Sequence, residues 1–119
     1  MYVKHLLDCS EFVAGDNSLL REILNPRKED ISIHYSLAWA YVKPGEKTLV
    51  HELKVSEVYF ILKGKGTMHI NNEKKNIDKG NTIYIPPNAA QFIENTGEEN
   101  LEFLCIVDPA WQPEVEQVL

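Results

Sequence analysis

Apolar and polar residues alternate with a period near two through most of the chain, the spacing that puts successive side chains on opposite faces of a strand. Seven such runs, punctuated by Gly, Pro and Asn, stand out: Ile31 to Val42, Thr48 to Val55, Glu57 to Lys63, Gly66 to Asn71, Thr82 to Pro86, Ala90 to Asn95 and Leu101 to Val107. No helix-length segment separates them, which predicts an all-β fold, an antiparallel sandwich or barrel. Only the N-terminal stretch reads differently. Leu19-Leu20-Arg21-Glu22-Ile23-Leu24 lies between the capping residues Asp16-Asn17-Ser18 and Pro26, which predicts a short helical segment ending at Asn25. The chain thus divides into an N-terminal segment, residues 1–30, packed on a barrel of residues 31–119, within one domain. Near the C-terminus, Pro113 followed by Glu114 suits the start of a helical turn against the outside of the barrel.

Alternation also assigns faces. In Thr48 to Val55, His51 falls with Leu49, Leu53 and Val55 on the inner side. In the next run, Glu57, Tyr59 and Ile61 alternate with Val58, Phe60 and Leu62, so both faces are apolar apart from one carboxylate. Leu101 to Val107 repeats that pattern. A strand apolar on both sides needs a second cover, either another sheet or another subunit; a homodimer is the plain expectation and a well-wrapped monomer the alternative. In Gly66 to Asn71, Met68 and Ile70 take the inner face, turning His69 outward; a slip of one residue would reverse this. His5 and His34 read as surface residues, and Tyr35, Tyr41, Tyr59 and Tyr84 as core or rim.

Composition narrows the function. At 119 residues and 44% apolar content the chain supports a single packed core. Its 18 Asp and Glu against 12 Lys and Arg give a formal charge of −6, and the basic residues are scattered, which argues against a nucleic-acid partner. No apolar run reaches membrane-spanning length and the N-terminus lacks a signal-like stretch, so a cytoplasmic protein without membrane attachment is expected. Cys9 and Cys105 form no CxxC pair, no GxSxG nucleophile motif is present, and Gly64-Lys65-Gly66 reads as a turn between strands rather than a phosphate loop.

Two stretches carry a family resemblance. In the first, Gly45, five residues, His51-Glu52-Leu53, three residues, Glu57, six residues and Gly64 follow one another; in the second, Gly80, five residues, Pro86-Pro87-Asn88, two residues, Gln91, three residues and Asn95. This order and spacing resembles the two motifs of the cupin superfamily, whose fold is an antiparallel double-stranded β-helix, a jelly-roll barrel. Together the motifs cover Gly45 to Asn95. The resemblance implies a pocket in which two motif-one histidines, the Glu and a motif-two histidine commonly bind one divalent metal. Here Leu53 stands at the second histidine position, Asn88 at the motif-two glycine and Gln91 at the motif-two histidine.

The implied metal ligands are therefore His51, Glu57 and Gln91, with Leu53, Tyr59 and Gln91 facing a small polar ligand of sugar or organic-acid type. One imidazole, one carboxylate and one amide are fewer and harder donors than three imidazoles, giving a weaker site for a divalent ion such as Mn, Zn, Fe or Ni. A buried Glu57 still needs a cation or a hydrogen-bond donor, since leaving it unpaired costs roughly several kcal/mol. Three readings follow: a reduced or substrate-assisted metal site, a metal-free polar patch that hydrogen-bonds an organic ligand, or three residues that satisfy one another within a scaffold. The resemblance implies isomerase, epimerase or oxygenase chemistry for the first, with Tyr59 or Glu57 as the proton-transfer group. A non-catalytic metabolite-binding or interaction module is the alternative.

Overall fold

A computed structural model describes residues 1–119. Eleven strands make up the chain: β1 (Glu11–Val13), β2 (Leu19–Leu24), β3 (Ser36–Val42), β4 (His51–Leu53), β5 (Ser56–Lys63), β6 (Lys65–Ile70), β7 (Glu73–Asp78), β8 (Thr82–Ile85), β9 (Gln91–Asn95), β10 (Leu101–Asp108) and β11 (Glu116–Val118). They form two sheets with all pairs antiparallel. The larger has the order β1-β2-β3-β10-β5-β8 and the smaller β11-β4-β9-β6-β7. The inner faces enclose a core that includes Ile61, Ile85, Ile93, Leu101 and Phe103. No helix is long and apolar enough to cross a membrane.

The predicted helix at Leu19 to Asn25 is instead strand β2, paired with β3 in register Leu20↔Ala40 and Arg21↔Trp39. The supposed capping residues close a hairpin: the Asp16 carboxylate accepts from the backbone N–H and hydroxyl of Ser18 at 3.0 and 2.6 Å, while Asn17 turns left-handed at φ 72°. Six residues are too few for a stable isolated helix, whereas two neighbouring strands satisfy the same backbone. Helical structure is confined to short 3-10 turns at Leu6–Asp8 and Pro113–Val115, the second where Pro113 predicts one. The sequence pattern omits β1, β7 and β11. In β7, Glu73-Lys74-Lys75-Asn76-Ile77-Asp78 buries only Ile77, a polar composition suited to a sheet edge that must not pair with another chain.

The motif residues outside the pocket shape the backbone. Gly45, Gly64 and Gly80 have φ of 79°, 87° and 93°, turns that glycine adopts without steric cost. Asn88 holds the same left-handed conformation at φ 66°, and its N–H donates to the Leu53 carbonyl at 2.6 Å, so the departure from glycine keeps the turn. Asn95 clamps the loop beyond β9: its amide donates to the carbonyls of Val42 and Glu99, both at 2.8 Å, and its oxygen accepts from Gly97 N–H at 2.9 Å.

Candidate functional site

One end of the space between the sheets holds a cavity of about 130 Å³. His51, Leu53, Glu57 and Tyr59 line it together, as alternation predicts, whereas Leu49, assigned to the same inner face, precedes β4 and is exposed. Gln91 does not line it. Directly opposite His51 in the β4–β9 pairing and 1% exposed, Gln91 stands behind the cavity wall. Its amide N–H donates to Glu57 Oε1 at 3.0 Å, and its carbonyl oxygen accepts from the Tyr59 hydroxyl at 3.2 Å. Gln91 thus holds the carboxyl and the phenol in place from outside the cavity lining.

Glu57 is strongly perturbed by its place in the cavity wall. Burial pushes its carboxyl up to about 8, reinforced by the carboxylates of Asp16 and Glu116 and only partly offset by the Gln91 hydrogen bond. Burial also raises the Tyr59 phenol and the Cys105 thiol well above their ordinary ranges, so both stay protonated and Cys105 is a poor nucleophile. No fully buried side-chain nitrogen or oxygen lacks a partner. The Gln91 bond accounts for one Glu57 oxygen, and the second opens to the cavity.

His51 is 3% exposed, and its Nδ1 lies 2.8 Å from the Leu49 carbonyl. A carbonyl only accepts, so Nδ1 carries the proton and Nε2 is left for the cavity. Nε2 points toward Asp16 Oδ2 at 3.6 Å, beyond hydrogen-bond length. Asp16 reaches this position because its own carbonyl accepts from Leu49 N–H at 2.7 Å, tying the β1–β2 turn to the entry of β4.

The sequence pattern does not single out Asp16, Trp111 or Glu116, which enter from the two ends of the chain. β11 pairs with β4 in register Glu116↔Leu53, bringing Glu116 to the cavity, where it accepts from the Trp111 indole N–H at 2.9 Å. Trp111 is anchored in turn by its backbone N–H on Ser36 Oγ at 2.9 Å. The nearest signals in the sequence are the polar triplet at Asp16 and the tryptophan in the tail, which local pattern assigns to a cap and to outside packing. His69 lies outward as predicted, stacked on Phe92 with ring centroids 4.0 Å apart and Nε2 2.8 Å from Glu94. His5 and His34 are exposed.

The donor set is a poor fit to a resident metal. No three His, Cys, Asp or Glu side chains are grouped to hold an ion. The amide oxygen of Gln91, its one metal-binding atom, is engaged by Tyr59. What the residues do form is a fixed hydrogen-bonding wall with a free carboxyl oxygen and a free imidazole nitrogen, framed by Leu53 and aromatic rings.

Comparison with known proteins places residues 38–107 in a match to the family model described as Cupin domain. An uncharacterized protein of Methanocaldococcus jannaschii is 41% identical over 109 residues, covering 91% of this chain and 86% of that one. The oxalate-binding protein of Thermotoga maritima is 34% identical over 65 residues, covering 54% of each chain. Auxin-binding protein 1 of Arabidopsis thaliana is 36% identical over 73 residues, which span 54% of this chain but only 37% of that protein. Among solved structures, a Cupin 2 conserved barrel domain protein of Salinispora arenicola superposes with a TM-score of 0.79 at 15% identity, covering 96% of this chain and 91% of that one. Oxalate decarboxylase of Bacillus subtilis superposes with a TM-score of 0.82 at 22% identity, covering 96% of this chain and 31% of that one.

Proposed function

This chain belongs to the cupin domain family, and we propose that its barrel binds a small molecule through hydrogen bonds with Glu57 and to the acceptor atoms of Tyr59 and His51, without a resident metal. The observation that carries this reading is the Tyr59–Gln91–Glu57 chain, 3.2 and 3.0 Å long, which locks a buried carboxyl with one oxygen open to the cavity. A buried polar network satisfied on the protein side and open on the other is preorganised for a ligand, since no ordering is left to be done on binding. At about 130 Å³ the cavity is close to the ~150 Å³ engineered cavity known to take benzene, which limits the ligand to a few heavy atoms. The role is that of a binding module.

The test is a thermal-shift screen of small amines, polyols, sugars and organic acids in the presence of EDTA. A saturating rise in Tm with at least one compound, lost or reduced about tenfold in affinity in Tyr59→Phe, is expected. Equal affinity in the variant would contradict a role for the chain of hydrogen bonds.

The facing pair of His51 Nε2 and Asp16 Oδ2, 3.6 Å apart, favours a second reading in which a divalent ion such as Mn, Zn, Fe or Ni enters with the ligand. Bacillus subtilis oxalate decarboxylase has Mn(II) centres. Near-stoichiometric metal in protein purified without a tag, absent in His51→Ala, would support that reading over the first. We also propose a second copy of the chain as cover for the outer face of the larger sheet. There Trp39, Leu104 and Phe60 stand in one cross-strand row and Leu37, Ile106 and Val58 in the next, Phe60 exposed and the others half-buried.

A further inference from the structure

Charge and shape of the cavity narrow the ligand class within the binding role just proposed, on which this step rests. Four carboxyl groups line the cavity, those of Asp16, Glu22, Glu57 and Glu116, and no Lys or Arg does. Glu22 is compensated from outside, since exposed Lys28 donates to it at 2.6 Å. Asp16 and Glu116 have no such cation. The one positive charge available to them is a protonated His51, so the remaining lining is net negative whichever way His51 and Glu57 are protonated. A free organic anion would enter against that field in a low-dielectric space.

The walls suit a cation for a second, independent reason. Phe12, Tyr59, Phe103 and Trp111 line the same cavity, Tyr59 and Phe103 as a pair of rings in tilted contact with each other at 4.6 Å between centroids. Aromatic faces attract ammonium and guanidinium groups through the ring quadrupole, most strongly where water is excluded. Trp111 already meets one such charge, with Lys28 Nζ 5.9 Å from its ring centroid. Its indole N–H is held by Glu116, which fixes the ring beside a carboxylate. Aromatic walls with carboxylates at their edges supply both attractions that a small organic cation can make, and the buried imidazole nitrogen of His51 adds a hydrogen-bond acceptor when neutral.

We infer that this pocket selects a small organic cation, an amine, guanidinium or quaternary ammonium of a few heavy atoms, held between the aromatic rings and the carboxylates of Asp16 and Glu116. Neutral polyols lack the charge, and organic acids carry the wrong one.

The experiment is isothermal titration calorimetry of the full chain dialysed against EDTA, with tetramethylammonium chloride and methylguanidinium chloride as probes. Uncharged tert-butanol and sodium oxalate serve as controls at matched ionic strength. Saturable binding of at least one cation is expected, weakened about tenfold or more in Glu116→Gln, which retains the acceptor for Trp111. Glu22→Gln, whose charge Lys28 already meets, should change affinity by no more than about twofold. Unchanged affinity in Glu116→Gln, no saturable heat from either cation, or a control that binds as tightly would overturn the assignment. A control that binds the native chain but not Tyr59→Phe would end the cation assignment and leave the binding role standing; an absence of binding by every compound, here and in the wider screen, would end both.

Discussion

Glu57 carries a cost that its neighbours set. Its carboxyl is raised from 4.5 to about 8, so between those values the folded chain holds a proton that the unfolded chain has released. The contribution to stability is therefore fully present below about pH 4.5, falls as pH rises at a slope of up to about 1.4 kcal/mol per unit, and levels off above pH 8. Glu57→Gln keeps the Gln91 contact and removes the titration. Urea unfolding of the variant is expected to lack that part of the decline and to show higher stability than the native chain at pH 8; an unaltered pH profile would contradict the burial argument. At this scale the sequence is half legible. His51 and Glu57 can be read because they lie on one contiguous motif and alternation aims both inward. Asp16, Trp111 and Glu116 cannot, because only tertiary pairing carries the chain ends to the cavity. Gln91 is placed correctly beside Glu57, yet its role as a support depends on which side of the wall its amide sits, which periodicity does not encode.

The turns between elements explain which departures from the family pattern matter. Asn88, in a glycine position, occupies the left-handed region at φ 66°. Asn tolerates that region through its short polar side chain, whereas Ala meets its Cβ clash. Asn88→Gly is expected to keep or slightly raise stability, and Asn88→Ala to lose about 1 kcal/mol in denaturant unfolding. Equal effects of the two would rule out backbone strain as the reason for Asn. The strand content of the motif region is legible for the same reason: β5, β9 and β10 have clean period-two burial bounded by turn residues. The N-terminal segment misleads because Leu19 to Leu24 has apolar residues at both helical and strand spacings, and its flanking Asp and Ser serve a hairpin turn as well as a helix cap. Edge strand β7 escapes notice because polarity at an edge protects the sheet and erases the alternation, and β1 and β11 because three residues are too few to show a period.

At the scale of the whole molecule, the larger sheet has two uses. Its inner face builds the cavity floor with Glu57 and Tyr59, and its outer face presents the Trp39–Leu104–Phe60 row, with Phe60 40% exposed. A second copy on that face would hold β5 rigid from outside and with it the groups that meet the ligand. Light scattering at micromolar concentration is expected to give 27.2 kDa, twice the 13.6 kDa chain, and Phe60→Glu to give the monomer. A monomer mass for the native chain would contradict this. The most direct test of metal-free binding in the cavity uses the two indole N–H groups of the chain. Trp111 lines the cavity and Trp39 lies on the outer sheet face, so each gives its own signal in a nitrogen–proton correlation spectrum. With EDTA present, adding a compound that stabilises the chain is predicted to shift the Trp111 indole and the Gln91 side-chain amide while leaving the Trp39 indole in place. A shift confined to Trp39, or a Trp111 response only after a divalent metal is supplied, would contradict the account.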